Sequence, residues 1–311
     1  MTSVAHHPVA AGYVFPLAPL SASGIVSSPR GRGPIVIDDH LRDLRRANRC
    51  TSTIYQRRRV LARLQLHAGT HPIHCTEAQV EDFLSRPLSP EARACELTHL
   101  RQWYLWAVRR GHRADDPTAD IERPTLPRRL PRPIADPDLA LALKQAPDRI
   151  RPWLYLAAYA GLRACEVAQL RADAVHPDAS PPVIIIERSK GGGMSSVTMH
   201  PHLIEVLADC NLPRSGYLFR RHDGQPGPNA PHLISHLSNR YLRSLGLTDT
   251  FHSLRHWFGT NVYRSSGRDL RVAQESLRHR SPVSTAIYTF VDPGEQFNAV
   301  AGLPVLGPDA A

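Results

Sequence analysis

A proline-rich segment in the middle of the chain most constrains the fold. The run IERPTLPRRLPRPIADPD, residues 121–138, contains five prolines between Pro124 and Pro137. Proline lacks an amide hydrogen and fixes φ, so this segment is predicted to be extended and to separate two domains. We divide the 311-residue chain into a leader (1–35), a first domain (36–122), a linker (123–135) and a second domain with a C-terminal tail (136–311).

Four helices are predicted before the linker. Their sequences are IVIDDHLRDLRRANRC, TSTIYQRRRVLARLQLHAG, TEAQVEDFLSR and LSPEARACELTHLRQWYLWAVRRG. The first has acidic residues early and arginines late, an order that the helix dipole favours. In the last, Ser89 is the expected cap and Pro90 takes the first helical position. The leader, rich in Ala, Pro, Ser and Gly, is expected to be loosely ordered.

The second domain is predicted to be mainly helical with one β-hairpin. Helices are expected at DPDLALALKQA, with Asp136 as cap, and at RPWLYLAAYAGLRACEVAQLRADAV. The runs PPVIIIER and MSSVTMH are rich in strand-forming residues and flank the turn SKGGG. Three further helical stretches follow, and the fold class is therefore mainly α with a small β-hairpin or sheet.

The charge of the chain favours a polyanionic partner. The formal net charge is +10, and residues 1–131 carry +7 of it. A basic surface binds nucleic acid because each neutralised phosphate releases condensed counterions. Arg57, Arg58 and Arg59 are the candidate DNA contacts. An arginine-rich composition from a GC-rich genome is the alternative explanation of the same charge.

Several classes of protein are disfavoured by the sequence. No stretch approaches the roughly 20 apolar residues of a membrane span, and the N-terminal segment lacks the basic region of a secretory signal. The five cysteines include no CxxC pair, which favours free thiols in a reducing cytoplasm. His71, His74 and Cys75 offer three ligands where a structural zinc site needs four, so we expect no metal here. We also expect no cofactor.

Two polar features of the second domain stand out first. Arg163 and Glu166 lie three residues apart in AGLRACEVAQL, among residues typical of a core. A buried arginine needs an anion, and Glu166 could be only that partner. Lys190 lies at the predicted hairpin tip and is one of two lysines in a chain with 36 arginines. A turn lysine is ordinarily just solvated.

Two further stretches carry histidine, arginine and tyrosine. In FHSLRHWFGTNVY, His252 and Arg255 share a helix face, and His256 follows four residues after His252. The HExxH zinc motif is excluded because Ser253 stands where that motif has glutamate. In ESLRHRSPVSTAIYTF, His279 precedes Tyr288 by nine residues. Each feature alone has an ordinary structural explanation, and only their joint occurrence points to chemistry.

Together these stretches resemble the catalytic signature of the tyrosine recombinases, the phage-integrase family that includes Xer and Cre. The resemblance covers roughly residues 136–295, and the first domain matches the family's helical, SAM-like core-binding domain in size and position only. The matching residues are Arg163, Lys190, His252, Arg255, His279 and Tyr288. The family's glycine before the second histidine is Arg278 here, and the usual basic residue after the hairpin glycines is missing.

The resemblance implies DNA cleavage and rejoining by transesterification. Arg163 and Arg255 would bind the phosphate, with Glu166 orienting Arg163 or a neighbouring histidine. Tyr288 would attack the phosphate and form a 3′-phosphotyrosine without ATP or metal, and His252 would take its proton. His279 would hydrogen-bond the phosphate, and Lys190 would protonate the leaving 5′-oxygen.

The expected partner is double-stranded DNA with an inverted-repeat core site, bound by a homotetramer or by a heterotetramer with a related recombinase. We expect a phage or mobile-element enzyme, with Xer-like resolution of chromosome or plasmid dimers as the alternative. A topoisomerase of type IB would share the chemistry. A DNA-binding regulator without catalysis is disfavoured, because none of the six catalytic-type residues is lost.

Overall fold

The structure is a computed structural model that describes residues 33–127, 131–187, 193–221, 223–279, 281–289 and 301. The leader expected over residues 1–35 falls almost wholly outside the described residues, as do Lys190 and the C-terminal tail apart from residue 301. The chain divides into two compact units, Met1–Pro127 and Arg128–Ala311, and the division falls inside the proline-rich segment. The mainly helical fold with a small sheet confirms the predicted fold class.

The first unit contains four α-helices. They are α1 (Gly33–Arg46), α2 (Thr51–Ala68), α3 (Glu77–Ser85) and α4 (Pro90–Arg109). The starts of α3 and α4 follow from their caps: Thr76 forms a capping box with Gln79, and Ser89 accepts a hydrogen bond from the amide of Ala92 at 3.2 Å. The apolar faces of α2 and α4 pack against each other around the fully buried Trp103 and Tyr104.

Arg57 lies inside the first unit, which corrects its assignment as a DNA contact. Its guanidinium is within 2.9 Å of His40 Nε2 and donates to His99 Nδ1 at 3.1 Å, and the residue is 4% exposed. Arg58 and Arg59 are exposed, and Arg58 Nη2 lies 3.5 Å from Asp38 Oδ1. Because the guanidinium of Arg57 is held by His40 and His99 in the interior of the first unit, Arg57 is not available to DNA, and Arg58 and Arg59 stay candidates.

The second unit combines seven α-helices with a three-stranded antiparallel sheet in its described residues. The helices are α5 (Asp136–Lys144), α6 (Arg151–Tyr159), α7 (Ala164–Gln169), α8 (Pro201–Asp209), α9 (Pro231–Ser244), α10 (Phe251–Ser265) and α11 (Leu270–Ser276). The strands are β1 (Val175–His176), β2 (Val183–Ile186) and β3 (Ser195–Thr198), in the order β1-β2-β3. The expected hairpin is β2–β3, with Ile184 opposite Val197. Ala135 rather than Asp136 is the N-cap of α5.

Helix α6 is the centre of the second unit. Its residues from Pro152 to Ala158 are all buried, and it packs against α10. The helix ends before Gly161, whose φ of +59° glycine adopts at little cost. A Cβ added at this position would collide with the ring of Phe258. The chain then turns and restarts as α7 just after Arg163, which places this arginine at the edge of the core.

Within the part of the chain that the structure describes, no helix is long and apolar enough to cross a membrane.

Candidate active site

Glu166 is the anionic centre of a cluster of arginines. Its carboxylate is 2% exposed and accepts hydrogen bonds from the backbone amide and from Nη1 of Arg163, both at 2.8 Å. Arg278 Nη2 donates to the same carboxylate at 2.7 Å, and Arg255 Nη1 lies 4.0 Å from it. Burial disfavours the charged carboxylate, but the charge of Arg278, together with Arg163 and Arg255, holds the Glu166 pKa below its usual value.

Arg255 is buried on helix α10 and joins three parts of the site. One Nη donates to the carbonyl of Gly161 and the other to the carbonyl of Leu277. These contacts tie α10 to the turn before Arg163 and to the end of α11. Because Arg255 is 1% exposed, its orientation is fixed by the protein and does not depend on a ligand. The arginine is therefore preorganised for an anion.

Arg278 stands where the family motif has glycine, and its backbone adopts a conformation that favours glycine. Its φ is +53°, in the left-handed region, and its side chain is 3% exposed. Besides Glu166, the guanidinium reaches the carbonyls of Gly161 at 3.2 Å and Ser276 at 3.1 Å. The side chain thus connects the last motif directly to the first.

Tyr288 lies in a short 3₁₀-helix, Ala286–Thr289, packed on α10. Its ring lies against Gly259, where an added Cβ would be 2.8 Å from Tyr288 Cζ, so the absence of a side chain gives the tyrosine its place. The residue is 4% exposed. Burial raises the pKa of the phenol, while the charges of Arg255 and Arg163 act in the opposite direction.

The histidine within hydrogen-bonding distance of the Tyr288 phenol is His256. Its Nδ1 is 3.0 Å from Tyr288 Oη, and the two rings are 5.7 Å apart. We expected His252 to take the phenolic proton, but His252 is exposed and meets the edge of the His256 ring, 4.6 Å between centroids. Burial and the neighbouring His252 and Arg255 lower the pKa of His256 to about 4, so this imidazole is neutral near pH 7.

His279 flanks the tyrosine on the other side. Its ring stacks with that of Tyr288 at 6.2 Å, and its Nδ1 is 2.9 Å from Thr285 Oγ1. The fully buried Thr285 thereby fixes the ring and leaves Nε2 for another partner. Burial, and then the charges of Arg255 and Arg163, lower the pKa of His279 to about 4.

The site therefore surrounds one phenol with fixed cations and neutral imidazoles. Three arginines converge on a single carboxylate, which leaves an excess of positive charge beside Tyr288. Such a pocket can bind a phosphate diester and stabilise the additional negative charge that develops when a nucleophile attacks it. Neutral imidazoles can accept or donate a proton during that step.

The structure brings together five of the six residues singled out for catalysis. One region contains Arg163, His252, Arg255, His279 and Tyr288, with Glu166 in contact with its arginines. Lys190 lies outside the described residues. The sequence interpretation missed the contacts of two residues. The sequence suggests His256 only as a residue of an excluded zinc motif, and Arg278 only as a departure from the glycine of the family motif. The adjacency of His256 to Arg255 in HSLRH was the available signal.

Comparisons with known proteins agree with this geometry. The sequence profile of the phage integrase family matches residues 137–295. Tyrosine recombinase XerC of Xylella fastidiosa (strain M23) is 31% identical over 229 residues, covering 69% of this chain and 76% of that protein. XerC of Xanthomonas campestris pv. campestris (strain B100) is 28% identical over 235 residues, covering 69% and 70%. A lambda integrase tetramer bound to a Holliday junction has a similar fold, with a TM-score of 0.64, 17% identity and coverage of 84% of this chain and 79% of that chain.

A buried tyrosine between arginines and histidines, on this helical fold, defines the class of the tyrosine recombinases. The chain belongs to the phage integrase family. It is a site-specific DNA recombinase that cleaves and rejoins DNA strands.

Proposed function

We propose that the enzyme cuts DNA by attack of Tyr288 on a phosphodiester, forming a 3′-phosphotyrosine and releasing a 5′-hydroxyl. The observation that carries this proposal is the burial of the phenol in a pocket where the charges of Arg255 and Arg163 act on it. A phenol with a pKa near 10 is a poor nucleophile at neutral pH unless a cationic pocket or a base assists it.

The arginines do the work of binding and charge stabilisation. Arg163, 23% exposed at its side chain, can present a free guanidinium edge to a non-bridging oxygen while its other edge holds Glu166. Because side chains supply the positive charge and the phosphotyrosine ester retains the energy of the broken bond, the scheme uses neither a metal ion nor ATP. His279 would donate from Nε2 to the phosphate, since its Nδ1 is engaged by Thr285.

Lys190 is proposed as the acid for the departing 5′-oxygen. Arginine holds its protons too tightly for that role, whereas a lysine pKa can be lowered among other cations. In a chain with 36 arginines and two lysines, a lysine in this motif is therefore chemically meaningful. Exposed His252 would contact the phosphate or the leaving group.

The proposed partner is double-stranded DNA with an inverted-repeat core site, bound by four recombinase subunits. The lambda integrase structure, a tetramer on a Holliday junction, supports this assembly by its likeness in fold. In the first unit, exposed Arg58 and Arg59 are proposed to contact phosphates. The two curated relatives bear the name XerC, which favours Xer-like dimer resolution over the phage or mobile-element role expected from the sequence.

A plasmid assay tests the proposed function. A supercoiled plasmid with two directly repeated copies of DNA that flanks the gene is incubated with the enzyme in EDTA without ATP. Two resolved circles are the expected product. Relaxed plasmid without resolved circles would indicate a topoisomerase, and binding without strand cleavage would indicate a regulator. In cells, accumulation of plasmid dimers after gene disruption would support the Xer-like role, whereas loss of integration alone would support the mobile-element role.

A further inference from the structure

His256 has a contact that the proposed reaction has not used. It lies immediately after Arg255 on α10, and its Nδ1 is 3.0 Å from the oxygen that would attack phosphorus. In the described residues, the histidine hydrogen-bonded to that oxygen is His256, although His252 occupies the first position of the family motif. The local geometry thus distinguishes His256, which contacts the phenol, from His252, which is exposed.

We propose that His256 is the general base that removes the phenolic proton of Tyr288. This inference rests on Tyr288 being the nucleophile. As the phenol attacks, its O–H bond breaks, the oxygen electron pair forms the P–O bond, and the proton forms an N–H bond at His256 Nδ1. The P–O5′ bond breaks, and the 5′-oxygen takes a proton from the acid of the site. During religation the imidazolium returns its proton to the departing phenol.

The surroundings of His256 suit this role. Among the described residues, the titratable or charged groups that face it are His252 and Arg255 on its own helix, Tyr288 on the 3₁₀-helix, and His279 after α11. None of these described groups is a carboxylate, and burial, together with His252 and Arg255, lowers the pKa of His256 to about 4, so the free imidazole is neutral and able to accept a proton at pH 7. When DNA is bound, the phosphate supplies the negative charge that stabilises the imidazolium next to Arg255.

Packing fixes the pair before DNA arrives. Tyr288 rests against Gly259, one helical turn after Arg255, and its ring stacks on His279, whose own position is set by Thr285. His256 is half-buried and His252 is exposed. The half-buried histidine therefore lies against the phenol, while the exposed one faces solvent, where it can contact DNA.

The test compares His256→Asn with His256→Ala and His252→Asn in single-turnover cleavage. Nicked duplexes from DNA flanking the gene serve as substrate. The asparagine amide can occupy the Nδ1 position and hydrogen-bond the phenol, but it does not accept its proton. We expect His256→Asn to cleave about 100-fold or more slowly at pH 7 and to gain about tenfold per pH unit up to the phenol pKa, because attack then requires tyrosinate. Wild type and His252→Asn should lack this slope.

Further outcomes separate the inference from the proposed function. Replacing Tyr288 by a fluorotyrosine, whose phenol is more acidic, should restore much of the rate in the His256→Asn background. A His256→Asn enzyme with the wild-type pH profile would overturn the assignment of His256 as base. A covalent adduct in Tyr288→Phe would overturn the proposed function itself.

A measurement on the uncleaved protein keeps the inference testable if a variant fails to fold. Nitrogen NMR of the full-length wild type should show His256 Nδ1 unprotonated and accepting a hydrogen bond, with the proton on Nε2. In Tyr288→Phe the His256 signals should shift far more than those of His252. A proton on His256 Nδ1 in the wild type would contradict the assignment.

Discussion

Replacing Arg278 by glycine sets backbone strain against a buried ion pair. Arg278 has a φ of +53°, and a non-glycine residue in the left-handed region costs about 1–2 kcal/mol. Glycine removes that cost but loses about 0.5–1 kcal/mol through the greater freedom of the unfolded chain. Relief of strain should therefore stabilise the protein by between about 0 and 1.5 kcal/mol.

Loss of the ion pair between Arg278 and Glu166 destabilises the protein, and this loss is larger than the stabilisation gained by relief of backbone strain. Arg278 Nη2 is 2.7 Å from Glu166, and both side chains are 2–3% exposed. Removing one partner of a buried pair costs about 3–5 kcal/mol. Glu166 keeps its contact with Arg163, so we take the lower end of that range. The net expectation is a loss of about 2 kcal/mol, or roughly 4–8 °C in Tm for a domain of this size.

Calorimetry or thermal circular dichroism of the full-length chain measures this effect. Arg268→Gly is a matched control, because Arg268 also has a positive φ, 68°, and its side chain is exposed. We expect that control to be neutral or slightly stabilising. In a Glu166→Gln background the loss caused by Arg278→Gly should shrink by at least about 1.5 kcal/mol, since the ion pair is already gone. An Arg278→Gly protein that gains stability as Arg268→Gly does would refute the reasoning.

Three further predictions concern Lys190, the surface arginines and the first unit. Lys190→Arg should bind DNA normally and cleave slowly, and a 5′-phosphorothiolate leaving group should restore the rate; absence of rescue would leave Lys190 only a positioning charge. Arg58→Ala together with Arg59→Ala should reduce the slope of log K against log salt by up to about 1.8, measured by DNA-binding titrations, and an unchanged slope would remove both as phosphate contacts. Burial and then Arg57 lower the pKa of His40 to about 3 and that of His99 to about 4. The unfolded chain therefore binds more protons below pH 6.5, and the first unit should lose stability as pH falls from 6.5 towards 4, by at most about 1.4 kcal/mol per pH unit for each histidine, as urea unfolding at several pH values would show.

Elements with local signals could be predicted from the sequence. The start of α4 follows from Ser89 and Pro90, and the β2–β3 hairpin from the Ile-rich run and the glycines. The two-residue strand β1 was not predicted, because two residues carry no alternating pattern. Helix α6 is buried on all sides, so hydrophobic periodicity gave no sign that the chain leaves the helix before Gly161.

The burial of Arg57 could have been predicted from helical spacing, but the run of three arginines favoured a surface position. It precedes Val60, Leu61 and Leu64 by three, four and seven residues, which is the spacing of one helix face. The run of three arginines suggested a basic surface, yet the helical period directs the first of them inward. His256 is different, because its contact with Tyr288 joins residues 32 positions apart and depends on tertiary packing.

The site residues were predicted as a set, and so was the pairing of Arg163 with Glu166, while the remaining contacts were not. Arg163, Arg255, His279 and Tyr288 follow from the resemblance of their motifs to those of the tyrosine recombinases, but the convergence of three arginines on Glu166 depends on how α7, α10 and α11 pack. The left-handed Arg278 is likewise invisible in the sequence, where it shows only as a missing glycine.

Mass spectrometry of a trapped intermediate tests the central claim most directly. A nicked suicide duplex from DNA flanking the gene is incubated with the wild type, and the covalent complex is digested to a peptide carrying nucleotide. We predict a 3′-phosphotyrosyl bond on Tyr288, with no adduct in Tyr288→Phe and with DNA binding retained in that variant. An adduct mapped to another residue, or one that persists in Tyr288→Phe, would contradict the account.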